Sequence, residues 1–74
     1  MDIDKINNFI QMELKKRNLF EVNAIEAAKW LDEADLLKDS KDRPGLQLRD
    51  LLRDKKIKNA FQRSATYWII TRED

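Results

Sequence analysis

Neither cysteine nor histidine occurs in this 74-residue sequence, and the two absences remove most of the side chains that enzymes use. Without a thiol there is no disulfide framework, no thiolate zinc site and no cysteine nucleophile. Without imidazole the commonest general base and the commonest transition-metal ligand are missing too. A single glycine leaves no means of building a glycine-rich phosphate loop. The carboxylates Asp32, Glu33, Asp35 and Asp39 gather near one predicted helix end. They lack the ordered spacing around a glycine that marks a hard-cation loop, so they read as a solvated helix terminus. The expectation is a protein that works by binding rather than catalysis, with no metal and no cofactor.

Long apolar runs are missing as well. No stretch approaches the roughly 20 residues that span a bilayer. Met1-Asp2-Ile3-Asp4 has neither the basic start nor the apolar segment of a secretory signal. A cytoplasmic location away from membranes is therefore expected. What the sequence does have is 42% hydrophobic and 39% charged residues, the balance of one compact core under a charged surface. At this length a single domain over 1–74 is expected. The net charge of +1 conceals an asymmetry. Residues 1–40 hold six basic and nine acidic side chains, giving −3, and residues 41–74 hold nine basic and five acidic, giving +4. The C-terminal half is the anion-facing candidate.

Hydrophobic periodicity predicts a first helix from Asp4 to about Asn18, with Ile6, Ile10 and Leu14 inward and Lys15, Lys16 and Arg17 complementing the helix dipole in the last turn. Leu19-Phe20-Glu21-Val22 reads as a short strand. Asn23 with Glu26 has the form of a capping box, starting a second helix at Ala24 that runs to about Leu37, with Ala24, Ala27, Ala28 and Leu31 inward. Trp30 on this helix reads as a core residue. Asp39 to Gly45 holds the only proline and the only glycine, and marks a loop. Leu48, Leu51 and Leu52 then predict a third helix from Leu46 to about Lys55, with Gln47, Arg49, Asp50, Arg53 and Asp54 outward. After it the period changes to two. Ile57 to Phe61 and Thr66 to Thr71 read as strands joined by a loop over Gln62 to Ala65, and Tyr67 and Trp68 point to opposite faces, so at least one belongs to the core.

The order is α-β-α-α-β-β, which predicts an α+β winged helix-turn-helix of three helices, a short strand and a C-terminal β-hairpin. In such a fold Arg49 and Arg53, one helical turn apart, suit phosphates or guanine edges in a major groove. Gln47, on the same helix, is a further candidate DNA contact. Arg63, at the expected hairpin tip, is the leading wing candidate, and Lys55, Lys56 and Lys58 are candidate phosphate contacts. Asp50 and Asp54 follow the two arginines directly and suit intrahelical ion pairs instead.

The segment Val22 to Asp74 resembles the winged-helix domain of excisionase-type and MerR-type DNA-binding proteins. The likeness rests on Glu26-Ala27-Ala28-Lys29-Trp30-Leu31, on Leu48-Arg49-Asp50-Leu51-Leu52-Arg53-Asp54-Lys55-Lys56-Ile57 and on Tyr67-Trp68-Ile69-Ile70-Thr71-Arg72-Glu73-Asp74. It implies a recognition helix over 46–56, a wing within 57–71, and DNA-contacting roles for Arg49, Arg53 and Arg63. The function expected is that of a small regulator of phage or mobile-element type that binds double-stranded DNA, alone, as a homodimer or beside a protein partner. The alternative expectation is a winged-helix scaffold that binds protein and not DNA, recognisable by an exposed apolar patch around Trp30 or Phe61.

Overall fold

A computed structural model describes residues 2–38, 42, 45–65 and 67–73. Most of the expected loop at Asp39–Gly45, the Thr66 end of the last strand, and Asp74 lie outside the described residues. The elements are α1 (Ile3–Lys16), β1 (Glu21–Asn23), α2 (Ala24–Glu33), α3 (Leu46–Arg53), β2 (Ala60–Ser64) and β3 (Tyr67–Thr71). The strands form one antiparallel sheet in the order β1-β3-β2. This is the α-β-α-α-β-β order read from the sequence, and it is consistent with a winged helix-like fold.

Helix starts follow their caps. The Asp2 carboxylate accepts the Lys5 amide at 3.1 Å, and the Asn23 side chain accepts the Glu26 amide at 2.8 Å. Gly45 opens α3 at φ +83°, a left-handed conformation that only glycine adopts without strain. A Cβ there would meet Ile25 at an ordinary 3.5 Å, so backbone conformation and not space selects the glycine.

Helix ends are shorter than periodicity alone predicts, because each helix closes in the same way. Asn18, Asp35 and Lys55 take φ values of 57°, 61° and 59°. The residue after each then donates its amide back to the helix: Leu19 to the Leu14 carbonyl, Leu36 to Leu31, and Lys56 to Leu51. These are Schellman closures. They stop α2 at Glu33 rather than Leu37, and α3 at Arg53 rather than Lys55. Leu37 is still buried beyond the end of its helix. Asn18 and Asp35 tolerate the left-handed region better than Lys55 does. Replacing Lys55 with glycine is therefore expected to raise stability by about 0.5–1 kcal/mol, seen as a melting temperature a few degrees higher by circular dichroism.

The strands are also displaced from their expected positions. β1 begins at Glu21, because the closure of α1 takes up the Leu19 amide and leaves Phe20 74% exposed. β2 runs over 60–64 and not 57–61. The Lys58 amide is taken by the Asn7 side chain of α1 and Asn59 turns at φ 58°, so pairing starts one residue later, at Ala60. Gln62 and Ser64, expected in the loop, pair with Trp68 and Tyr67 around a bulge at Arg63. The Gln62 amide nitrogen donates to the Ala65 carbonyl at 2.9 Å across the turn.

Ile6, Ile10, Leu14, Ala27, Ala28, Leu31, Leu48, Leu52 and Ile70 form the centre of the core, with Val22 and Ala60 opposite Ile70 on the sheet. The small Ala27 and Ala28, 0% and 2% exposed, permit close helix approach. Trp30 is 3% exposed and belongs to this core. The Arg17 guanidinium lies 4.7 Å from its ring centroid, and Arg17 Nε and Nη2 donate to Glu13 Oε1 at 3.2 and 3.1 Å.

Two buried amides on α1 join distant parts of the chain. Asn7 Nδ2 donates to the Ile3 and Lys56 carbonyls at 3.1 and 3.0 Å, and its Oδ1 accepts the Lys58 amide at 2.8 Å. One turn later, Gln11 Nε2 donates to the Thr71 carbonyl and its Oε1 accepts the Glu73 amide, both at 3.0 Å. Both side chains thus act like strand backbone, holding the α3–β2 link and the end of β3 against the first helix. The helix that precedes the winged-helix likeness is an integral part of the fold.

Candidate nucleic-acid interface

α3 presents three different faces. Leu48 and Leu52, 0% and 2% exposed, point into the core. At 3.6 residues per turn, Asp50 lies directly opposite them. Leu46, Arg49 and Arg53 occupy the flank that faces the hairpin, and there they line an open cleft of about 220 Å³ together with Gln62, Ala65 and Trp68. β3 alternation explains the far wall. Ile70 points inward, so Trp68 does too, and Gln62 sits opposite Trp68 on the same face of the sheet.

The two arginines differ. Arg53 is exposed, and its Nη2 donates to Asp50 Oδ1 at 2.8 Å. Arg49 is half-buried, not outward as its helical position suggests, because the hairpin folds back alongside it. Its Nε is buried and has no hydrogen-bond partner among the described residues. Among the described residues no acidic side chain lines the cleft. Asp50 offsets Arg53, so the positive charge of the cleft rests chiefly on Arg49, and the partner this suits is an anion.

The remaining candidate residues lie elsewhere. Gln47 is exposed on α3 outside the cleft. Lys55, Lys56 and Lys58 follow the end of α3, and the link carrying them is bonded to Asn7 of α1 through the Lys56 carbonyl and the Lys58 amide. They therefore sit at the base of the hairpin, whereas Gln62 and Ala65 lie toward its tip. Arg63 is on the opposite face of the sheet from Gln62. Its guanidinium stacks 5.5 Å from the Phe61 centroid and pairs with Glu21 at 3.6 Å. β3 lies between those strands, so this span crosses it, and Ile69, on that outer face, is 1% exposed. The five basic residues expected to form one face, Arg49, Arg53, Lys55, Lys58 and Arg63, are therefore divided among the cleft, the link over α1 and the outer sheet face.

Gln62 and Trp68 are the cleft residues that sequence reasoning did not join to the arginines. The signal existed in the alternation back from Ile70, but it was masked by the misplaced loop. Of the two places where the protein-binding alternative expected an exposed apolar patch, one is exposed and one is not. Trp30 is buried, and Phe61 is 43% exposed beside Tyr67 at 42%. A second apolar site on α1, made by Phe9 and Met12 with Leu36, lies between Lys5 and Asn8. Among the described residues no three acidic side chains converge as a metal site, and no helix is long and apolar enough to cross a membrane. Comparison with protein-family models, curated proteins and solved structures finds no match to this chain.

Proposed function

We propose that this chain binds double-stranded DNA, as a small regulator of phage or mobile-element type, with α3 in the major groove and the β2–β3 hairpin as a wing. The observation that carries the reading is the cleft between α3 and the hairpin, where Arg49 and Arg53 face Gln62 with no acidic side chain among the described lining residues. Eight residues at 1.5 Å each make α3 about 12 Å long. A helix about 10–12 Å across fits a major groove about 12 Å wide, and the short length limits one copy to a few base pairs. Arg49, recessed in the cleft, suits a backbone phosphate. Arg53, nearer solvent, suits a base edge. A single copy therefore binds modestly, and useful affinity requires a second copy or a neighbouring protein on the same site.

The test is a fluorescence anisotropy titration of a labelled mixed-sequence duplex across salt concentrations. Two to four phosphate contacts give a log–log salt slope of about −2 to −4, with affinity lost by roughly fiftyfold between 50 and 200 mM. Absence of binding at the lowest salt overturns the proposal. It would leave the second reading, a protein-binding scaffold, which is favoured by the apolar site of Phe9, Met12 and Leu36 on α1.

A further inference from the structure

The residue at the leading edge of α3 is acidic, which is the wrong sign for a helix that only approaches phosphates. Asp50 stands opposite the buried Leu48 and Leu52, its side chain 59% exposed. Such a residue reaches the floor of a groove first and meets base edges there, with the phosphates to either side. It is also not alone, because its Oδ1 holds Arg53 Nη2 at 2.8 Å. Oδ2 takes no hydrogen bond among the described residues, and the guanidinium keeps further N–H donors. Read across the helix, the pair presents donor, donor, acceptor.

We infer that Asp50 and Arg53 act as one unit that selects a G·C base pair. This rests on the DNA-binding reading and names what that interface recognises. In the major groove a G·C pair presents acceptor, acceptor, donor: guanine N7, guanine O6 and the cytosine N4 amino group. Each element of the protein pair has its complement, with the Arg53 fork on N7 and O6 and the free carboxylate oxygen accepting from N4. An A·T pair presents acceptor, donor, acceptor. It sets the adenine N6 amino group against the guanidinium and the thymine O4 against the carboxylate, so two of three contacts become like against like. The existing ion pair holds both side chains in relative position before docking, which reduces the ordering cost of making the contacts together.

The experiment is selection from a duplex pool randomised over about one helical turn, at about 0.1 M salt, with the wild-type chain and with Asp50→Ala. Asp50 is exposed, so the variant is expected to melt at the wild-type temperature. The wild type should enrich G·C over A·T about tenfold at one position. Asp50→Ala should bring that preference within about twofold. Equal preferences in the two selections, or none in the wild type, overturn the assignment and leave DNA binding intact. Failure of the wild type to retain any duplex removes the DNA-binding reading itself, and this inference with it.

Discussion

Replacing Asn7 with alanine lowers the melting temperature by roughly 10–20 °C. Asn7 is 7% exposed and makes three hydrogen bonds, two of them to the backbone of the α3–β2 link. Alanine leaves the Lys56 carbonyl and the Lys58 amide without those partners beside a closed core, and each unsatisfied group costs about 1–3 kcal/mol. Partial access of water limits the sum to about 2–3 kcal/mol. Against a total of roughly 4–11 kcal/mol for a domain of this size, that is a large share. Thermal circular dichroism measures it, and a fall of less than about 3 °C would show that the link finds other partners. Gln11→Ala should cost less, because Gln11 makes two hydrogen bonds, to Thr71 and Glu73, where Asn7 makes three.

The second large effect is on binding. Changing Arg49 and Arg53 together to methionine should weaken the complex with a mixed-sequence duplex by about a hundredfold or more at low salt, since each such arginine is worth about 1–3 kcal/mol. Methionine is preferred to alanine because Arg49 is half-buried and its stem contributes packing that a charge deletion should leave in place. The melting temperature should then stay near that of the wild type. Arg63→Met is the contrast. Its guanidinium is engaged by Glu21 on the outer sheet face, so less than about a threefold loss is expected. If Arg63→Met is the damaging change and the α3 pair is silent, the nucleic acid meets the sheet and not the cleft.

The sequence disclosed those parts of the fold that local chemistry dictates. Asn23 before Ala24, the stripe of Ile6, Ile10 and Leu14, and the glycine before Leu46 each act within a few residues; α2 and α3 begin where those signals put them, and α1 begins one residue earlier than its stripe predicts, at the Asp2 cap. What periodicity did not reveal were events fixed by distant partners. Nothing near Lys58 signals that its amide is taken by Asn7, 51 residues away, yet that bond moves β2 by three residues and carries Gln62 and Ser64 out of the loop. The same displacement moved Arg63 off the tip and onto the outer face. Of the candidate site, Arg49 and Arg53 were legible because a helix fixes its flanks. Their pairing with Gln62 and Trp68 was not, because it depends on strand register.

The sheet order has a consequence for how the chain is made. β3 is the central strand, yet it is the last of these elements to leave the ribosome. Until Tyr67–Thr71 emerges, β1 and β2 have no partner, since neither pairs with the other. Ile70, Thr71 and Glu73 also supply the contacts that close the core and engage Gln11. Strand pairing during translation therefore waits for the last strand. The three helices are made first, and the sheet closes against them once Tyr67–Thr71 is free of the exit tunnel.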